Sequence, residues 1–281
     1  RQIVAGVEAG ADLILIETMS DLHEVKAAVL AAKENCTLPV FCTMTFQQHG
    51  RTLMGTDPIT MVLVLQGLGV DALGLNCSLG PKESLAIVEE ILKYSSIPVM
   101  IQPNAGLPKY DGTNTIYDIG SKEYFQFMKQ MVEMGVSIIG GCCGTNPEYI
   151  KQLSIGLSDH PVKQIDRKHI SAACSSTKTV LLDIEPVVIG ERINPTGKKR
   201  FKEAVRNGDI DFIVSEAIQQ KKSGANILDV NVGLPEISEK DFMINVIEEL
   251  QSVIDLPLQI DSSDVEVLEA ATRIYNGKPI I

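Results

Sequence analysis

The sequence predicts an α/β fold in which parallel sheet is covered by helices. Short runs that are apolar on both faces alternate with amphipathic stretches, the pattern of strands buried between helices. The alternation occurs twice, on either side of a stretch where it lapses. Polar and thiol residues recur at the same end of nearly every run. Two closures fit the alternation: an open doubly wound sheet or a (β/α)8 barrel. No G-x-G-x-x-G follows the first strand, so the dinucleotide-binding version of the open sheet has no support. A barrel gathers its functional residues at the C-terminal ends of its strands. The expectation is two consecutive (β/α)8 TIM barrels, both incomplete: 1–150 as the C-terminal part of one, 151–185 as a linker, and 186–281 as the N-terminal part of the other.

In the first region, Ile3, Val4 and Val7 mark a helical pattern, and a strand follows at 12–16, ended by Glu17-Thr18. Asp21 caps an amphipathic helix running to 32. A second strand at 39–46 ends in a polar loop, with a helix from about 59. A third strand at 71–76 precedes a helix near 83–94. A fourth, at 97–102, gives way to a long loop, and a helix at 123–134 leads to a fifth strand at 136–139. The ends of these strands carry Glu17, Thr45, Asn76-Cys77, Gln102 with Asn104, and Cys142-Cys143.

Between 151 and 185, Asp159-His160-Pro161 and the Ser/Thr-rich run at 171–177 mark a linker or surface strap. Cys174 reads as incidental, and His160 and His169 as solvated. From Pro186 the alternation resumes: a strand at 187–190 ending in Glu191 to Gly197, a helix at 211–222, a strand at 226–233, a helix at 239–253, a strand at 256–260 and a helix at 264–274. Their polar residues are Glu191, Asn194, Asp229, Asn231 and Asp261. The chain opens inside a helical pattern and stops at Pro279-Ile280-Ile281, which reads as the start of a buried strand; an internal fragment of a longer protein is expected.

A formal net charge of −11 excludes a nucleic-acid or lipid-surface binder, since both need basic patches. Six cysteines in 281 residues do not make a disulfide scaffold, and no stretch reads as a signal peptide or membrane span. A reducing cytoplasm is the expected compartment.

Cys142 and Cys143 stand between glycines at a strand end. Vicinal cysteines rarely bridge each other, because disulfide geometry is demanding. Buried free cysteines also serve as small hydrophobes. With Cys77 at a second strand end, however, three thiolates would leave tetrahedral Zn2+ one open position, the arrangement of a catalytic site. A substrate thiol entering there would be deprotonated by the metal. Glu17 either pairs with a substrate ammonium or caps the next helix. Asn104 is a candidate temporary ligand or substrate-orienting group. The second region's Asp and Asn side chains suit a flat nitrogen-rich heterocycle, or act as turn and cap formers.

Gly74-Leu75-Asn76-Cys77 with Gly140-Gly141-Cys142-Cys143-Gly144-Thr145 resembles the zinc motif pair of the homocysteine S-methyltransferase family. Gly190 to Gly197, with Asp229-Val230-Asn231 and Gln259-Ile260-Asp261-Ser262, resembles the pterin-binding domain of folate-dependent methyltransferases. Their order in one chain is that of the cobalamin-dependent methionine synthases. The resemblance implies zinc on Cys77, Cys142 and Cys143, with homocysteine thiolate as fourth ligand and Glu17 near its amino group. It places methyltetrahydrofolate on Glu191, Asn194, Asp229, Asn231 and Asp261, with Asp261 at the pterin ring. It implies methyl transfer from 5-methyltetrahydrofolate through cobalamin to homocysteine, giving methionine and tetrahydrofolate, with cobalamin held by a downstream domain and a reactivation domain beyond it. The fragment alone is expected to bind zinc at most. One alternative is a homocysteine methyltransferase fused to a methylenetetrahydrofolate reductase, against which the 190–197 motif and the Asp229-Asn231 pair argue. The other is a non-catalytic zinc scaffold module.

Overall fold

Strands apolar on both faces can pair in parallel only if helices cross over and cover them, and the chain is built this way. The structure, a computed structural model, describes residues 1–281 and divides into two units, Arg1–His169 and Ile170–Ile281.

In the first unit, helix α1 (Gln2–Glu8) precedes β1 (Ile14–Met19), α2 (Leu22–Asn35), β2 (Val40–Met44), α3 (Pro58–Gly67), β3 (Ala72–Asn76), α4 (Pro81–Tyr94) and β4 (Val99–Gln102). A small hairpin, β5 (Lys109–Tyr110) and β6 (Thr115–Ile116), lies within the stretch expected as a plain loop, and α5 (Ser121–Met134), β7 (Ile138–Ile139) and α6 (Pro147–Gly156) follow. The sheet order is β1-β2-β3-β4-β7, parallel throughout. Helix starts follow local chemistry. The Asp21 carboxylate accepts from the His23 N–H, Asp57 accepts from Thr60 with Pro58 in the first turn, and Asn146 accepts from Glu148. Leu22, Val25, Val29 and Ala32 of α2 are fully buried, each large side chain contributing about 1.5–3 kcal/mol. Every residue of β3 is buried, and the strand packs so closely on β4 that a Cβ at Gly74 would lie 1.7 Å from the Met100 carbonyl oxygen.

The second unit begins with an antiparallel hairpin, β8 (Ala172–Cys174) and β9 (Thr179–Leu181). Then come β10 (Ile189–Ile193), α7 (Lys199–Asn207), α8 (Ile210–Lys222), β11 (Ile227–Val230), α9 (Glu239–Val253), β12 (Leu258–Ile260) and α10 (Val265–Ile274), with β10-β11-β12 a parallel sheet. Ile280 continues the order as expected of a strand start: it bridges Gln259 in parallel, with the Ile260 N–H donating to its carbonyl at 2.9 Å. No helix is long and apolar enough to cross a membrane.

The stretch at 151–185 is divided between the units rather than standing apart from both. Its first residues complete α6, and Lys168 then caps the C-terminal end of α4 through the Leu92 and Ser95 carbonyls. The β8–β9 hairpin joins the second unit: the fully buried Tyr275 hydroxyl donates to the Cys174 carbonyl at 3.0 Å and accepts from the Leu258 N–H at 3.1 Å. Cys174, read from sequence as incidental, is therefore a core residue. Helix α7 went unexpected because its apolar positions, Phe201, Ala204 and Val205, are diluted by basic neighbours. Glu191 and Asp229 lie within β10 and β11 rather than beyond their ends.

Candidate functional site

Cys77 follows β3 directly, and both Cys77 and Ser78 take φ of +61°, a left-handed conformation that costs a non-glycine residue of order 1–3 kcal/mol. The turn is held by the Cys77 N–H donating to Gln102 O at 3.1 Å and the Leu79 N–H to Cys77 O at 2.7 Å. The loop after β7 is tied to the loop after β4 rung by rung: Gly140 N–H to Ile101 O at 3.1 Å, Cys142 N–H to Pro103 O and Ala105 N–H to Cys143 O, both at 2.9 Å. The buried Asn104 adds a side-chain rung, its Oδ1 accepting from the Cys143 N–H at 3.0 Å. The buried Tyr124 hydroxyl bonds the Pro103 and Gly140 carbonyls at 3.0 and 2.8 Å.

These constraints bring the three sulfurs of Cys77, Cys142 and Cys143 within 4.8 Å of one another. Cys77 and Cys143 are 3.7 Å apart, and Cys142 and Cys143 4.0 Å. All the cysteines are free thiols. A tetrahedron with Zn–S bonds of about 2.3 Å has an S–S edge of about 3.8 Å, so the donor set fits zinc in type and spacing. Burial pushes the Cys142 thiol up to about 12, with the neighbouring Cys77 sulfur acting in the same direction. Three thiolates this close repel one another unless a cation is present.

Asn76 underpins the cluster. It is buried, its Oδ1 accepts from the Thr18 N–H at 2.8 Å and the Thr43 hydroxyl at 2.7 Å, and its Nδ2 donates to Thr18 Oγ1 at 2.7 Å and lies 4.0 Å from Cys142 Sγ. Tyr117 also reaches the site: its ring lies against Gly144, and desolvation with the nearby thiols, Cys143 foremost, holds its phenol above the ordinary value. Neither Tyr117 nor Thr18 stood out in the sequence, because nothing local marks a loop tyrosine or a strand threonine as a neighbour of distant cysteines. Glu17 is exposed on β1, beside Thr18; α2 is capped by Asp21, so the capping role open to Glu17 is filled by another residue. Asn104 meets the cluster through the Cys143 backbone.

In the second unit all five residues singled out from sequence share one neighbourhood. Asp229 is buried on β11, and its carboxyl is raised by burial and then by Asp261, with Glu191 adding to this and hydrogen bonds from Gln259 and Asn194 opposing it. Gln259 Nε2 donates to Asp229 Oδ1 at 2.8 Å, and Asn231 Nδ2 to Asp261 Oδ2 at 3.1 Å. Lys198 Nζ pairs with the exposed Glu191 carboxylate at 2.8 Å. Gln259 and Lys198 are additions to the sequence reading. Gln259 was visible as part of a motif, whereas Lys198 lay within an unmarked basic run. The cluster offers acceptors and amide donors on adjacent strands, suited to the edge of a polar heterocycle.

Comparison with known proteins gives two family matches: the homocysteine S-methyltransferase model over residues 1–156 and the pterin-binding enzyme model over 190–281. The chain is 31% identical to the methionine synthase of Mycobacterium tuberculosis over 280 residues, 97% of this chain and 24% of that protein. It is 32% identical to the methionine synthase of Mycobacterium leprae over 289 aligned residues, 98% of this chain and 24% of that protein. It thus spans about a quarter of the length of these curated relatives. Among solved structures, the oxidized homocysteine methyltransferase MmuM from Escherichia coli aligns at a TM-score of 0.47 with 22% identity, covering 55% of this chain and 49% of that one.

Proposed function

The chain belongs to the homocysteine S-methyltransferase family, and on that footing we propose that it is part of a methionine synthase whose two units are each a portion of a (β/α)8 barrel. The reaction is methyl transfer from 5-methyltetrahydrofolate through cobalamin to homocysteine, giving methionine and tetrahydrofolate. The observation that carries it is the convergence of Cys77, Cys142 and Cys143 from two strand ends, with sulfurs within 4.8 Å. These residues would hold zinc. When bound, zinc supplies a Lewis acid that lowers the pKa of an incoming thiol and makes it a nucleophile near neutral pH. The protein's own tasks are then to orient and discriminate. Glu17 receives the homocysteine ammonium, and Asn104 fixes the Cys143 loop on which the substrate sulfur docks. In the second unit Glu191, Asn194, Asp229, Asn231 and Asp261 hold methyltetrahydrofolate, with Asp261 at the pterin ring. Cobalamin binding and its reactivation are assigned to downstream domains of the same chain, in the cytoplasm. The pterin-binding match at 190–281 weighs against the fused-reductase alternative.

The test is methionine formation from homocysteine and methylcobalamin by the full chain, alongside methyltetrahydrofolate binding. Alanine at Cys77, Cys142 or Cys143, or chelation of zinc, should abolish methionine formation and leave folate binding intact; Asp261→Ala should do the reverse. Full activity after chelation would refute the reading and favour a scaffold role for the thiols.

A further inference from the structure

Three non-glycine residues of the chain take a positive φ: Thr18 at +62°, and Cys77 and Ser78 at +61°. For a β-branched residue such as Thr18 this backbone is an outlier that persists only where the surroundings impose it. One buried side chain joins the two places. Asn76 directly precedes Cys77 and holds Thr18 by two bonds. Its Oδ1 accepts from the Thr18 N–H at 2.8 Å, and its Nδ2 donates to Thr18 Oγ1 at 2.7 Å. From the strand between them, the Thr43 hydroxyl donates to the same Oδ1 at 2.7 Å. A backbone N–H can only donate, so these partners leave the amide one orientation.

We propose that Asn76 is a positioning residue that fixes Glu17 relative to the thiol turn, so that an amino group and a sulfur are recognised together at one set separation. The proposal rests on the reading in which Glu17 receives the homocysteine ammonium. Two features of β1 support it. Leu15 pairs with Phe41 and Phe41 with Ala72, so alternation carries Glu17, Thr43 and Gly74 to one face of the sheet, the face that also bears Asn76. The β1–β2 register then shifts between Ile16 and Met19, the interval that holds Glu17 and Thr18. A shift of this kind re-aims side chains at a strand end. Asn76, reaching across β2 from β3, supplies the tie that sets where Glu17 is aimed. The same residue leads straight into Cys77, so the amino-group end and the sulfur end of the site share one anchor.

The test is calorimetric binding of two thiols to the zinc-loaded full chain: homocysteine, and γ-mercaptobutyrate, which lacks only the amino group. Wild type should prefer homocysteine, and Glu17→Gln should erase the preference. Thr18→Val keeps the branched shape and removes the oxygen that Nδ2 holds. It should lower the preference roughly fivefold, the equivalent of one lost hydrogen bond, with γ-mercaptobutyrate bound as before and zinc content unchanged. Asn76→Ala removes both ties, and its preference should fall to that of Glu17→Gln. A merely structural Asn76 would weaken both thiols equally or lower stability alone, and an unchanged preference in Thr18→Val beside a Glu17→Gln that loses it overturns the proposal while the Glu17 reading stands. A wild type with no preference, or a Glu17→Gln that keeps it, defeats that reading and the proposal with it. Thr18→Val decides alone should Asn76→Ala not fold.

Discussion

Replacing Tyr124 by phenylalanine tests how the fold assembles the thiol cluster. The side chain is fully buried, and its hydroxyl lies between the carbonyls of Pro103 and Gly140 at 3.0 and 2.8 Å. Those residues begin the two loops that carry Asn104 and the Cys142-Cys143 pair. Without the hydroxyl, Pro103 O keeps the Cys142 N–H as a partner, whereas Gly140 O loses its side-chain donor. One hydrogen bond lost and one carbonyl left short cost about 1–2 kcal/mol together. Because the clamp spans the two loop starts, the same energy resists their separation, and zinc affinity should fall by about tenfold for each 1.4 kcal/mol transferred to the site. The assay is chelator competition for zinc together with urea denaturation. Tyr149→Phe is the control: that tyrosine packs edge-on against Tyr124, with ring centroids 5.4 Å apart, but its hydroxyl bonds Ile119 O, away from the two loop starts. It should lower stability without weakening zinc binding comparably. A Tyr124→Phe protein with unchanged midpoint and unchanged zinc affinity would refute the clamp.

Two further outcomes follow from the titrating groups. Burial and Asp261 raise the Asp229 carboxyl above its ordinary value, so its contribution to folding is full below the unfolded carboxylate value and is lost as pH rises through the folded one. Asp229→Asn should therefore stabilise the protein near neutral pH, with the gain shrinking toward pH 4 in parallel melts, while pterin binding weakens; a variant less stable than wild type at pH 7 would contradict this. The Cys142 thiol, held protonated up to about 12 without metal, must give up its proton to a cation. Its release alone should strengthen zinc binding by about tenfold per pH unit through the neutral range, and a pH-independent affinity by calorimetry would exclude Cys142 as a ligand.

The sequence reading reached the features that periodicity carries and missed those that distance in space decides. Strands such as Ala72–Asn76 and helices such as Glu239–Val253 announce themselves through buried runs and an amphipathic repeat. The cysteine cluster was legible because Cys77, Cys142 and Cys143 are each a strand-end residue, and a parallel sheet brings such ends together. Tyr117 was not, since it lies in an irregular segment whose path over Cys143 depends on the Ala105–Ile119 closure. The β8–β9 hairpin was hidden for a related reason. Its strands are only three residues each, and partners far along the chain hold it in place: Tyr275, 101 positions from Cys174, Lys278, whose backbone pairs with Cys174, and Asp255, whose carbonyl accepts from the Ser175 hydroxyl.

X-ray absorption at the zinc edge of the full chain, with and without homocysteine, tests the central claim most directly. Three sulfurs and one lighter scatterer, becoming four sulfurs when homocysteine is added, is the predicted result for ligation by Cys77, Cys142 and Cys143 with one exchangeable position. Four sulfurs before any substrate, or no zinc signal at all, would contradict it.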